Sequence, residues 1–248
     1  MKLLYPSAKG FAKAMEIVWN IIDEGTLEVD KDGIGLIAMD PSQVSMIAFS
    51  ISKDMFSEYE VEKKEQLGLD INYIKNILKR ARAEEKLGLE LEGPLLNISF
   101  IGKRSRRSFK VRLLEPSQGG FNREPNLEYL NNIRIDAGAL KDIIKDASIV
   151  ANYIRFEMSP DGFAAIAKGD YGEVKEEFEK GEDLLEINVE EKDTALYSVK
   201  YLDDILKSVG KGDIVRLYMN TNMPLKMEMT VEGAKLRYYL APASEGSE

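Results

Sequence analysis

The chain has 248 residues, 34 Lys and Arg against 43 Asp and Glu for a net charge of −9, and neither cysteine nor histidine. Those absences exclude disulfides, thiolate metal sites, serine–histidine triads, cysteine proteases and zinc hydrolases, so any catalysis would rest on carboxylates, Lys, Tyr or Mg²⁺. At 44% hydrophobic residues the chain can bury a large core in one or two domains, and no apolar run reaches the roughly 18 residues of a membrane span.

Met1–Gly10 turns polar at once and shows no signal-peptide pattern, so a soluble, cytoplasmic protein is expected. Ala8–Ile22 has helical periodicity: Lys9, Lys13, Glu16 and Asn20 form one column, with Phe11, Met15, Val18 and Ile22 opposite. The alternating run Thr26–Asp30, the turn Lys31-Asp32-Gly33 and the return Ile34–Met39 predict a hairpin. Ser45–Ile51 reads as a further strand. Asp70–Arg82 predicts an amphipathic helix whose cationic edge is Lys75, Lys79 and Arg82. Strands follow at Lys86–Leu91, Leu95–Ile101 and Ser108–Leu114, and then Glu115–Pro125 is rich in turn formers and reads as an interdomain connector.

The second half repeats the first. Asp136–Asn152 predicts a helix with Lys141, Lys145, Ser148 and Asn152 in one column, resembling the column of the first helix. Ile154–Met158, the turn Asp161-Gly162 and Phe163–Ala167 predict a second hairpin, and Ser198–Lys211 a fourth helix edged by Lys200, Lys207 and Lys211. Asp32-Gly33 and Asp161-Gly162 stand 129 apart, Ile77-Leu78-Lys79 and Ile205-Leu206-Lys207 stand 128 apart, and Pro94-Leu95 and Pro224-Leu225 stand 130 apart. This points to an internal duplication of two helices and eight or nine strands.

Charge follows the four helices. Their columns hold ten cations (Lys9, Lys13, Lys75, Lys79, Arg82, Lys141, Lys145, Lys200, Lys207 and Lys211) against Glu16 and Asp204, hence +8, while the other 24 cations and 41 anions carry −17. Mobile lysines suit phosphate contact, and the columns lack both aromatic residues for stacking single-stranded bases and an Arg, Asn and Gln cluster for reading base edges. The expectation is salt-sensitive, sequence-independent binding of duplex DNA.

Several motifs now carry a resemblance. The Met39-Asp40-Pro41-Ser42-Gln43-Val44 loop, Phe56-Ser57-Glu58-Tyr59, Lys145-Asp146-Ala147-Ser148, Tyr238-Tyr239-Leu240 and the closing Leu240-Ala241-Pro242 resemble the DNA sliding clamp family, archaeal proliferating cell nuclear antigen type. The resemblance implies an α+β fold of two duplicated clamp domains, 1–114 and 127–248, joined by a connector at 115–126. Each domain would pack two helices on antiparallel sheets, and three subunits would close into a ring around duplex DNA. It implies a processivity factor for DNA polymerase, with no enzymatic activity, no catalytic residues, no metal and no cofactor. Partners implied are DNA polymerase, clamp loader, flap endonuclease and DNA ligase, each docking a short glutamine-and-aromatic peptide. Carried onto this chain, their pocket is Met39, Gln43, Val44, Phe121, Leu127, Pro224, Leu225, Ala241 and Pro242.

A head-to-tail ring needs two different complementary edges. Lys103–Arg112 is crowded with cations and Glu173–Asp183 with anions; in the family these regions are the edge strands that pair between subunits. The interface set is therefore Arg106, Arg107, Phe109, Lys110, Val111 and Arg112 against Glu173, Val174, Glu176, Glu177, Phe178 and Glu179. Two other readings stay open: an acidic peptide-binding scaffold that does not act on DNA, and a carboxylate and Mg²⁺ enzyme using Asp40, Asp70 or Asp170.

Overall fold

Each helix starts where a short polar side chain ends an extended segment. Ser7 accepts from the Gly10 amide at 2.9 Å, Asp70 from Tyr73 at 2.8 Å, and Asp136 from Gly138 and Ala139, so orphan donors of the first turn are satisfied. Ser198 holds the same place before the fourth helix without a side-chain bond. The computed structural model describes residues 1–116 and 123–244. Two compact units result: Met1–Pro41, Ile47–Glu124 and Val231–Lys235 form the first, and Ser42–Met46, Pro125–Thr230 and Leu236–Glu248 the second.

In order, the first series is β1 (Lys2–Tyr5), α1 (Ala8–Trp19), β2 (Glu24–Val29), β3 (Gly33–Met39), β4 (Ser45–Ser52), β5 (Glu58–Glu60), β6 (Glu65–Asp70), α2 (Ile71–Leu78), β7 (Lys86–Glu92), β8 (Leu95–Ile101) and β9 (Arg106–Arg112). The second is β10 (Asn131–Asp136), α3 (Ala137–Val150), β11 (Tyr153–Ser159), β12 (Gly162–Gly169), β13 (Gly172–Phe178), β14 (Leu184–Asn188), β15 (Asp193–Ser198), α4 (Val199–Leu206), β16 (Ile214–Met219), β17 (Leu225–Val231) and β18 (Ala234–Leu240). The two series are the same, and so are the pairings. Strand orders are β5-β1-β7-β8-β9 and β4-β3-β2-β6 in the first unit, β14-β10-β16-β17-β18 and β13-β12-β11-β15 in the second. In the first unit α1 lies on α2 and β7, and α2 on β2 and β6; in the second α3 lies on α4 and on β10 to β13.

The repeated Asp-Gly turns have one cause. A Cβ on Gly33 would sit 2.2 Å from the Ile51 carbonyl, and one on Gly162 would sit 2.3 Å from that of Phe178, so a neighbouring strand excludes every other residue. Each core has an aromatic centre. Tyr5 packs edge-on against Phe11 and Phe56 in the first unit, and Phe156 meets Phe163 and Tyr197 in the second.

Three helices end well before their periodicity does, and for two of them the reason lies elsewhere in the chain. α2 stops at Leu78, where the Arg80 and Ala81 amides turn to i−3 acceptors and the Arg107 guanidinium takes the Arg80 carbonyl at 3.0 Å. α4 stops at Leu206, and the Lys141 ammonium takes the carbonyls of Lys207 and Val209 at 3.3 and 2.9 Å. A cation from another element thus closes the electronegative end of each helix. α1 ends at Trp19, with the Ile21 and Ile22 amides both returning to the Val18 carbonyl. Among the described residues no helix is long and apolar enough to cross a membrane.

Candidate nucleic-acid interface, partner pocket and edge strands

Amphipathic packing leaves the polar sides of α1 and α2 exposed. Between them a cavity of about 450 Å³ brings together Lys9, Lys13 and Lys79, with Glu16, Trp19 and Glu232 also in its wall. Lys9 and Lys79 make no ion pair among the described residues, whereas Lys13 reaches Glu232 at 3.4 Å. Lys75 of α2 is half-buried with its ammonium 6.0 Å from the ring centre of Trp19, the last residue of α1, so that indole is covered and carries the cation on its face. Arg82 departs from the expected column. It lies beyond α2, and its backbone amide donates to Glu85 Oε2 at 2.8 Å.

The second unit treats its cations differently. Lys141 is half-buried and spent on the end of α4; Lys145 pairs with Asp142 at 2.9 Å. Lys207 pairs with Asp204 at 2.7 Å and Asp203 at 3.1 Å, and its pKa is held above the ordinary lysine value by those hydrogen bonds. Lys200 and Lys211 are exposed without ion pairs among the described residues, Lys211 lying in the turn after α4. The sequence columns of α1 and α3 also prove not to be equivalent: Lys141 and Lys145 sit 132 residues after Lys9 and Lys13, but the buried faces of the two helices repeat at 129.

Of the expected pocket residues, Val44, Leu127, Pro224, Ala241 and Pro242 are half-buried in the second unit, and Gln43 is exposed with φ 58°. The Ala241 amide donates to the Val44 carbonyl at 2.9 Å, tying the Gln43 loop to the closing segment. Leu225 is fully buried and presents no surface; its place in β17 points it into the core. Met39 is half-buried at the end of β3 in the first unit, and Phe121 lies outside the described residues. Tyrosines that the sequence did not single out fix this surface. Tyr129 donates to the Pro224 carbonyl and Tyr197 to that of Met223, each at 2.9 Å. Burial pushes the Tyr129 hydroxyl up to about 12 and that of Tyr197 higher still.

β9 and β13 each stand at the end of a strand order, as edge strands. On β9, Arg106, Lys110 and Arg112 are exposed, while Phe109 meets Phe100 edge-on at 5.9 Å. Val111 is only 4% exposed and belongs to the core, since alternation turns it inward. Arg107 is also committed internally, to Glu85 at 2.7 Å. On β13, Glu173, Glu177 and the following Glu179 are exposed, and Val174, Glu176 and Phe178 half-exposed. Glu176 faces α3, and burial followed by the charges of Asp146 and Asp142 raises its pKa.

Residues 4–113 match the family model for the N-terminal domain of proliferating cell nuclear antigen, and residues 123–243 match that for its C-terminal domain. The chain belongs to the proliferating cell nuclear antigen family. It is 34% identical over 246 residues to a DNA polymerase sliding clamp of Methanococcus maripaludis, covering 96% of this chain and 97% of that one. The solved structure of the antigen from Thermococcus kodakaraensis superposes with a TM-score of 0.92 at 27% identity, covering 98% and 99% of the two chains. A second structure, the C-terminal region of FEN-1 bound to A. fulgidus PCNA, superposes with a TM-score of 0.90 at 26% identity over 98% of each chain.

In this family member the carboxylates raised as metal ligands have other placements. Asp70 caps α2, Asp40 is buried at the end of β3, and Asp170 is exposed at the β12–β13 turn. Among the described residues no three acidic side chains gather into a group able to hold a metal ion. Arg80, exposed beside Lys79, is a cation that the periodicity of α2 did not mark because it falls outside the column.

Proposed function

We propose that this chain is a DNA sliding clamp, a processivity factor that encircles duplex DNA as a head-to-tail homotrimer in the cytoplasm and performs no chemistry itself. The observation that supports this reading most is the family match across both units, joined to exposed lysines on the helices of an otherwise acidic chain. Mobile ammonium groups gain energy from any phosphate and fix no register, which suits sliding. The test is retention. The protein loaded on a nicked circle should stay bound and should run off once the circle is linearised. Equal loss from both forms would remove the encircling reading.

The proposed partners are DNA polymerase, clamp loader, flap endonuclease and DNA ligase, each presenting a glutamine-and-aromatic peptide to the surface around Gln43, Val44, Leu127, Pro224, Ala241 and Pro242. Support comes from its construction: half-buried apolar groups on a backbone held by Tyr129, Tyr197 and the Val44–Ala241 bond. Preorganised apolar pockets bind with little ordering cost. Val44→Glu should weaken such a peptide at least about tenfold, since it sets an unpaired charge in an apolar pocket. Unchanged affinity by calorimetry would place the pocket elsewhere.

A further inference from the structure

The helix pairs of the two units can be aligned by their buried positions. Ala8, Phe11, Ala14, Met15 and Val18 of α1 correspond to Ala137, Leu140, Ile143, Ile144 and Ala147 of α3, at a constant offset of 129. Ile71, Ile74, Ile77 and Leu78 of α2 correspond to Val199, Leu202, Ile205 and Leu206 of α4, at an offset of 128. The apolar sides repeat and the charged sides do not. Lys13 corresponds to Asp142 and Lys75 to Asp203, while Arg80 and Arg82 give way to Ser208 and Gly210. Lys79 keeps a lysine in Lys207, but that lysine is paired with Asp203 and Asp204. Glu16 runs the other way, with Lys145 in its place, and Lys145 is in turn paired with Asp142.

Residues 8–19 and 71–82 hold six cations and one anion, whereas the matching 137–148 and 199–210 hold four of each, with Lys211 adding one cation just beyond. This tally does not depend on side-chain rotamers. The contacts add to this at most positions: Lys9 and Lys79 are unpaired beside the α1–α2 cavity while Lys141, Lys145 and Lys207 are engaged within their own unit, although Lys13 is paired with Glu232 and Lys200 and Lys211 make no ion pair among the described residues.

From this charge pattern, and resting on the clamp reading, we infer that the two units do not share the DNA equally: the α1–α2 face of the first unit holds the duplex phosphates, and the α3–α4 face is a near-neutral spacer. Duplex DNA carries a dense line of negative charge, and its affinity for a surface follows the cations that displace counterions from it. A face with no net charge displaces few. In a ring of three chains the six helix pairs alternate, so the strong contacts recur three times rather than six. Sliding between three separated footholds leaves the duplex free to tilt toward one of them.

The test exchanges the charges of the two units. Lys13→Asp with Lys75→Asp gives the first unit the residues of the second, and Asp142→Lys with Asp203→Lys does the reverse. Equilibrium binding to linear duplex is measured across salt, with ring mass and melting temperature followed for each variant. The first exchange is expected to make the log–log salt slope less steep by about 2 for each subunit in contact with the duplex, and the second to make it steeper, each phosphate contact contributing about 0.9. Lys9→Gln with Lys79→Gln disturbs no ion pair among the described residues and should also flatten the slope, by more than Lys145→Gln with Lys200→Gln does. Equal losses from these two neutralised pairs, or a wild-type slope for Lys13→Asp with Lys75→Asp, would overturn the asymmetry. Failure of the wild-type protein to stay on closed circles would instead strike the clamp reading and leave these slopes still readable.

Discussion

Arg107→Glu is expected to destabilise the first unit by about 3 kcal/mol, the low end for breaking a buried pair from one side. Glu85 is 5% exposed, and both its carboxylate oxygens accept from Arg107, at 2.9 and 2.7 Å. The same guanidinium donates to the Arg80 carbonyl at 3.0 Å and lies 4.9 Å from the Phe100 ring centre. One side chain therefore ends α2, neutralises a buried acid and covers an aromatic ring. The replacement sets a second carboxylate against the first and frees the helix end. All three hydrogen bonds come from the one nitrogen Nη2; Arg107→Lys keeps the charge but loses the planar group over Phe100, so it should recover only part of the loss. Denaturant unfolding of both variants checks this, and a loss under 1 kcal/mol for Arg107→Glu would show that the pair does not hold the unit.

The pH dependence has a definite sign. Burial alone would raise the Glu85 pKa, but the Arg82 amide and the Arg107 hydrogen bonds and charge outweigh it and hold it below the ordinary carboxylate value. A depressed folded pKa means stability that is present above the unfolded value and is lost as pH falls through the folded one. In Arg107→Glu the paired carboxyls favour protonation instead. The stability gap between wild type and variant should therefore shrink on acidification through the carboxylate range, and a gap that widens would contradict the assignment.

The fold was legible in this sequence where one residue type answers to one local cause. Asp-Gly at two places 129 residues apart marked the duplication because a neighbouring carbonyl forbids a Cβ at both glycines. The buried faces of all four helices followed from their periodicity. Helix ends did not, because Arg107 and Lys141 reach them from 27 and 66 residues away in sequence. Lysine spacing misled in another way: Lys9–Lys13 and Lys141–Lys145 share an i, i+4 interval, yet only the apolar register shows that Lys13 corresponds to Asp142. Family position marks Leu225 and Val111 as surface residues, yet alternation along β17 and β9 turns both inward. The tyrosines beneath Pro224 and Met223 carried no local signal, since a phenol that closes a turn 95 or 26 residues away has no sequence pattern of its own.

Lys110→Glu with Arg112→Glu is expected to convert the ring into monomers, and adding Glu173→Lys with Glu177→Lys is expected to restore it. Arg107 stays untouched, because its loss would damage the unit and imitate a failed interface. Lys110 and Arg112 share the exposed face of β9, and Glu173 and Glu177 share that of β13. Lys110 already reaches Glu92 at 2.6 Å, so its charge is partly answered within its own chain, whereas Arg112 has no partner among the described residues. Exposed ion pairs contribute only about 0–1 kcal/mol each. Main-chain hydrogen bonds between the two edges should therefore supply most of the affinity, and the charges should decide which edges meet. Cationic β9 repels a second β9 and anionic β13 a second β13, which leaves the head-to-tail pairing that closes a ring. Reversing Lys110 and Arg112 sets anions against Glu173 and Glu177 over that part of the contact, and reversing those two glutamates as well restores the attraction with the signs exchanged. Light scattering at micromolar concentration reads the outcome directly. A doubly substituted β9 that still runs as a trimer at low salt would show that these strands do not form the subunit contact.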